Sequence, residues 1–234
     1  MIIMIRKILP AILILVAGTS CSREAADQSD SRSERGVASG NDDRPVVLFL
    51  GTSLTAGMGV GVELAYPALI QQRIDSVGLA FRVVNAGESG GTSAGGVRRI
   101  DWLLRLPVAA LVLELGANDG LRGQDVAVLR ANLQSIIDRT LAVYPAAVIV
   151  IAGMEAPPNL GPDYTAAFRN VFVDVARENE AVLIPFVLQG VAGIPELNQA
   201  DGIHPTAEGQ QIMAETAWLA LEPILQSIGV AQTP

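Results

Sequence analysis

The sole histidine of this 234-residue sequence, His204, stands in the string Asp201-Gly202-Ile203-His204-Pro205. Imidazole is the side chain whose unperturbed pKa lies close to neutrality, so a lone histidine is the natural candidate for a general base. Pro205 biases His204 away from helical geometry and suits the first turn of a helix, so His204 is expected to project from a loop. Asp201 can fold back through Gly202 to accept a hydrogen bond from the ring, fixing its tautomer and stabilising the imidazolium. The other reading of Asp201 is a turn former beside a glycine. The nucleophile candidate for this base is Ser53, in Gly51-Thr52-Ser53-Leu54-Thr55-Ala56-Gly57 directly after an apolar run; a helix N-cap or turn serine is its other reading.

Attack on a carbonyl places negative charge on its oxygen, which fixed N–H groups must meet. Two further loops can supply them. Asn85-Ala86-Gly87-Glu88-Ser89-Gly90-Gly91 lets backbone approach a ligand, and Gly116-Ala117-Asn118-Asp119-Gly120 presents a carboxamide. The Ser53 and Gly90 backbone N–H groups and the Asn118 side chain are the candidate oxyanion donors. The glycines of residues 87–96 can also be read as a phosphate cradle or as plain tight turns. Asn118 and Asp119 can be read as a turn and a helix start.

Scarcity excludes several chemistries. The only lysine is Lys7 and the only cysteine is Cys21, so no P-loop lysine, Ser-Lys dyad or Schiff-base lysine is available beyond residue 7. Zinc sites built from His and Cys within one chain are excluded, and no intrachain disulfide can form. A carboxylate-only Mg or Ca site stays open on composition alone; the chemistry expected here needs no cofactor or metal. The formal charge is −8, and from Cys21 onward 14 basic face 24 acidic residues, a net −10, which argues against nucleic acid as a partner.

These groups need a scaffold. Apolar residues make up 50% of the chain and aromatic ones only 4%, which fits an α/β protein with an aliphatic core. Short apolar runs predict strands at 46–50, 81–85, 109–114, 147–151 and 181–185, and helices at 66–77, 93–104, 125–143, 162–180 and 206 to about 227. Strands such as Val46-Val47-Leu48-Phe49-Leu50 are apolar at every position, as parallel strands buried on both faces are. The expectation is a three-layer α/β/α sandwich with a five-stranded parallel sheet and a crevice beyond the carboxyl ends of the strands. Ser53, Gly90 and Asn118 all follow such ends.

Residues 1–20 read as an export signal, with Arg6 and Lys7 before a short apolar run and Gly18-Thr19-Ser20 before Cys21. The placement of Cys21 resembles a lipobox, which implies a lipid on Cys21 and a membrane-anchored lipoprotein in the periplasm; Gly18 stands where leucine is usual. Residues 21–44 are polar and carry almost no large apolar side chain, the composition of a disordered tether. The folded domain is expected at 45–230.

Taken in order, the Ser53 block, Gly90, Gly116-Ala117-Asn118-Asp119-Gly120-Leu121-Arg122-Gly123 and Asp201-Gly202-Ile203-His204-Pro205 resemble the SGNH or GDSL hydrolases, from about Val46 to the last helix. The Asn118–Gly123 string and Tyr66-Pro67 are similar to the bacterial arylesterase and thioesterase/lysophospholipase branch. The resemblance implies the flavodoxin-like SGNH fold and a serine esterase or thioesterase with Ser53, Asp201 and His204 as triad. It further implies that Ser53, Gly90 and Asn118 are the oxyanion donors, and that substrates are small or lipid esters. Two positions depart from the family pattern: Thr52 stands where Asp is usual, and Gly91 where an acidic residue commonly follows. Residues 154–163 can wall an acyl chain or merely connect elements, and Arg122 can meet an anionic group or simply be solvated. Carbohydrate O-deacetylation, peptidase activity, or ligand binding without catalysis are the alternatives on the same scaffold.

Overall fold

The computed structural model describes residues 42–231; the leader, Cys21 and the polar stretch to Asn41 lie outside the described residues. The chain order is β1 (Val46–Gly51), α1 (Ser53–Ala56), α2 (Tyr66–Ser76), β2 (Arg82–Gly87), α3 (Ser93–Leu103), β3 (Val108–Glu114), α4 (Ala117–Leu121), α5 (Val126–Val143), β4 (Val148–Ala152), α6 (Pro162–Glu178), β5 (Val182–Ile184) and α7 (Ala207–Ala231). Single 3-10 turns lie at Val62–Leu64, Pro158–Leu160 and Pro195–Leu197.

The five strands pair in parallel in the order β2-β1-β3-β4-β5. Helix α2 packs on α7, and α3 on α5 and α5 on α6, so helices cover a sheet whose strand β1 is buried throughout and whose β3 and β4 are buried at all but one residue each. Val46, Val47, Leu48, Phe49 and Leu50 have no solvent exposure, as their continuous apolar run predicts. Because β2 and β3 lie on opposite sides of β1, the chain reverses its winding direction there. A crevice opens at that switch point, and Ser53 begins α1 at its edge.

The expected strands and long helices are present, with ends shifted by up to a few residues. Met213, Ala217, Leu221 and Leu225 carry the buried stripe of helix α7 past the interior Pro223, and the helix runs beyond the expected end to Ala231, with the half-buried Ile228 packed against the core. The short helix α1 is not among the expected helices, and α4 agrees with the alternative reading of Asn118 and Asp119 as a turn and a helix start. At the amino end of the domain, the Arg44 guanidinium donates to Phe81 O at 3.1 Å and pairs with Asp42 at 2.8 Å. Among the described residues, no helix is long and apolar enough to cross a membrane.

Candidate active site

Ser53 is the first residue of α1 and is almost buried. Thr52 caps this one-turn helix, its Oγ1 accepting from Leu54 N at 3.4 Å, so the chain turns sharply out of β1 with Ser53 at the bend. His204 approaches from the turn before α7 and places Nε2 2.8 Å from Ser53 Oγ. Its Nδ1 lies 2.7 Å from Asp201 Oδ2.

Proton roles follow from the partners. An ionised carboxylate only accepts, so Nδ1 donates to Asp201, leaving Nε2 as acceptor for the Ser53 hydroxyl. Asp201 Oδ1 also accepts from the backbone N–H groups of Ile203 at 2.9 Å and His204 at 3.0 Å, a side-chain-closed turn. Hydrogen bonds from the His204 ring and from these two amides hold the Asp201 carboxyl well below the usual carboxylate range. Gln199 ties the loop down: its side chain donates to Met58 O at 2.7 Å and to Pro205 O at 2.9 Å, and its backbone N–H donates to His204 O at 2.7 Å.

Ser53, Gly90, Asn118 and His204 line one cleft of about 810 Å³. Gly90 holds a left-handed φ of +76°, which glycine adopts without the strain a Cβ would add, and the turn carries its peptide to the cleft. Asn118 lies in α4 and donates through Nδ2 to Gly91 O at 2.9 Å, so one amide hydrogen orients the carboxamide and a second remains for a ligand. The cleft wall is largely apolar, with Leu54, Leu121, Met154, Phe186, Leu188 and Ile203 among its residues.

The sequence profile of the GDSL-like Lipase/Acylhydrolase family matches residues 49–212. This chain belongs to that family. It is 42% identical over 180 residues to Esterase TesA of Pseudomonas aeruginosa, a match covering 76% of this chain and 89% of TesA. It is 35% identical over 182 residues to Thioesterase 1/protease 1/lysophospholipase L1 of Escherichia coli K12, covering 76% of this chain and 84% of that protein. Among solved structures, the psychrotrophic esterase EstA from Pseudoalteromonas sp., inhibited by monoethylphosphonate, superposes with a TM-score of 0.73 at 31% identity, covering 77% of this chain and 98% of EstA.

Other residues of this GDSL-family site escaped sequence reasoning. Asp119, read as a helix start, is buried and accepts from Ser93 N at 2.9 Å and Ser93 Oγ at 2.5 Å, while Asn132 Nδ2 donates to Ser93 Oγ at 2.9 Å. This network clamps α4, which carries Asn118, to the start of α3 just after Gly90. Glu114, the only charge in β3, sits beneath the Ser53 turn without solvent exposure; a carboxylate ending an apolar strand was the available signal. Of the segment 154–163, Met154 to Pro158 line the cleft and the remainder does not. Arg122 is exposed outside the lining and donates to Gly90 O at 3.3 Å, bracing the Gly90 loop.

Proposed function

We propose that this chain hydrolyses carboxylic esters or thioesters through a covalent acyl-enzyme on Ser53, with His204 as general base and acid and Asp201 as its orienting partner. The observation that carries this reading is the unbroken contact series from Asp201 through the His204 ring to Ser53 Oγ, at 2.7 and 2.8 Å, inside an apolar cleft. His204 Nε2 takes the Ser53 proton as Oγ bonds to the carbonyl carbon. The oxygen that becomes negative is met by the N–H groups of Ser53 and Gly90 and by Asn118 Nδ2. Collapse breaks the bond to the leaving alcohol or thiol, which takes the proton from His204. Water, deprotonated by the same imidazole, then releases the acid and restores Ser53.

The apolar wall and the scarcity of charge around the cleft favour lipid or small aliphatic and aryl esters. A fluorophosphonate probe should label Ser53 covalently in the wild type and not in Ser53→Ala. An acyl-length series of nitrophenyl esters, run beside acetylated sugars and peptide substrates, then assigns the acyl group. Labelling elsewhere, or no labelling with no ester turnover, would sink the reading in favour of a binding protein.

The leader-like segment 1–20 and the polar stretch 21–44 support export to the periplasm and a lipid anchor on Cys21, with the domain held off the membrane surface. Palmitate incorporation by the full chain, lost in Cys21→Ala, is the expected result; an unlabelled wild type overturns the anchor.

A further inference from the structure

Glu114 closes β3 without solvent exposure, and its hydrogen-bond partners all belong to the nucleophile turn. Thr52 N donates to Oε2 at 2.9 Å and Thr52 Oγ1 donates to Oε1 at 3.0 Å. Thr55 N reaches Oε2 at 3.3 Å and Thr55 Oγ1 at 2.7 Å. Two backbone amides and two hydroxyls therefore converge on one carboxylate from residues on either side of Ser53. When the Thr55 hydroxyl donates to Glu114 it accepts from Tyr66 Oη, 3.0 Å away. Tyr66 N in turn donates to Gln210 Oε1 at 2.8 Å, and Gln210 Nε2 donates to Leu54 O at 3.2 Å.

The fit leaves no slack. A Cβ at Gly51 would stand 1.9 Å from Thr55 Oγ1 and 2.7 Å from Glu114 Oε2, so the strand must end in glycine for the turn to fold back over the carboxylate. Burial pushes the Glu114 carboxyl above its ordinary value, while the hydrogen bonds from Thr52 and Thr55 oppose that push. The two amides can only donate, and both hydroxyls can turn to donate as well, so the arrangement can satisfy an ionised carboxylate in full.

We propose that Glu114 is a positioning residue for the nucleophile: its carboxylate draws Thr52 and Thr55 into the turn that aims the Ser53 hydroxyl at His204. The inference rests on the reading of Ser53 as nucleophile. Glu114 never touches substrate; its effect is on the angle and distance at which Ser53 meets the base and the incoming carbonyl. Glu114→Gln keeps the shape but sets an NH₂ group against donors, and Thr55→Val removes one donor at constant volume.

The test measures kcat and KM on a nitrophenyl ester, the rate of fluorophosphonate labelling at Ser53 and the thermal midpoint, for the full chain and for E114Q, T55V and T55S. A displaced nucleophile predicts that kcat and the labelling rate in E114Q fall about a hundredfold with KM within about twofold. T55V should fall about tenfold, with T55S recovering most of that loss. Failure of the wild type to label at Ser53 overturns the nucleophile reading itself, before any variant is compared. Labelling and kcat at wild-type levels in E114Q overturn the positioning role, as does a loss explained by the unfolded fraction alone. Should E114Q not fold, the Thr55 pair decides: wild-type kcat in T55V overturns the inference, and loss in T55V with recovery in T55S supports it.

Discussion

The two halves of the proposed site, base and nucleophile, are built on opposite principles. The base half is local and wet: Asp201 and His204 are three residues apart, and the Asp201 side chain is 43% exposed. Its geometry comes from one side-chain-closed turn, which Gln199 ties to Met58. The nucleophile half is remote and dry, for Glu114 and Thr52 are 62 residues apart and neither has solvent exposure. Water competes for the first set of hydrogen bonds and is excluded from the second, so a lost bond is partly replaced on one side and leaves an orphaned buried group on the other. Damage to the base half should therefore appear in rate alone, and damage to the nucleophile half in rate and stability together.

The largest effect is expected where the halves meet. Ser53→Ala and His204→Ala should each lower kcat on a nitrophenyl ester by about 10⁴-fold or more, with the double variant little worse than either, because the residues act as one unit. A double variant that loses the product of the two single effects would mean that the halves work independently.

Asp201→Ala comes next, and separates the two principles. It leaves the imidazole free to take the wrong tautomer, so kcat should drop about 10³- to 10⁴-fold, while the thermal midpoint stays close to wild type. Its depressed carboxyl pKa fixes the sign of any pH effect on folding. The contribution, small for so exposed a carboxylate, is present above the unfolded value near 3.9 and is lost as pH falls from there through the folded value. A pH-dependent melting difference near neutrality would contradict this assignment.

Asn118→Ala tests a donor held between the halves. One oxyanion donor is worth about a hundredfold in kcat, with KM little changed. A change confined to KM would make Asn118 a ground-state contact.

The same contrast explains what the sequence could tell. The Asp201–His204 relation lies within four residues bounded by Gly202 and Pro205, so turn chemistry was enough to suggest it. Strands such as β1 and β4 were legible because an apolar run of five or six residues is a local pattern. Helices α1 and α4, of four and five residues, are too short to show a period. Their residues read as loops after strands or, at most, as a cap and a helix start. The role of Glu114 was invisible because it depends on the parallel pairing of β1 with β3, which brings Gly51 beside Glu114. Asp119 does stand in the first turn of α4, but its clamp was invisible for the same reason, its partner Ser93 lying 26 residues away.

Thr52→Asp should give a smaller, pH-graded effect, and it addresses the departure from the family pattern at this position. The Thr52 hydroxyl lies 3.0 and 3.1 Å from the Glu114 carboxylate oxygens, so an aspartate here sets two carboxylates in contact where water is excluded. Like charges at that distance cannot both ionise cheaply, and the pair retains a proton. A carboxyl whose folded pKa is raised costs the fold nothing below its unfolded value, and stability is lost as pH rises from there through the folded value. Burial already pushes Glu114 up from 4.5, and the added charge pushes the pair further. The deficit in thermal midpoint relative to wild type should therefore be small near pH 4.5 and widen toward pH 8, with kcat at pH 8 lower by about tenfold, the scale of a modest misplacement of the nucleophile. Adding Glu114→Gln to Thr52→Asp removes one carboxylate and should flatten that pH dependence. A midpoint difference that is the same at both pH values would show that Thr52 does not rest on a charged Glu114, and the buried half of the site would then be held by packing rather than by its carboxylate.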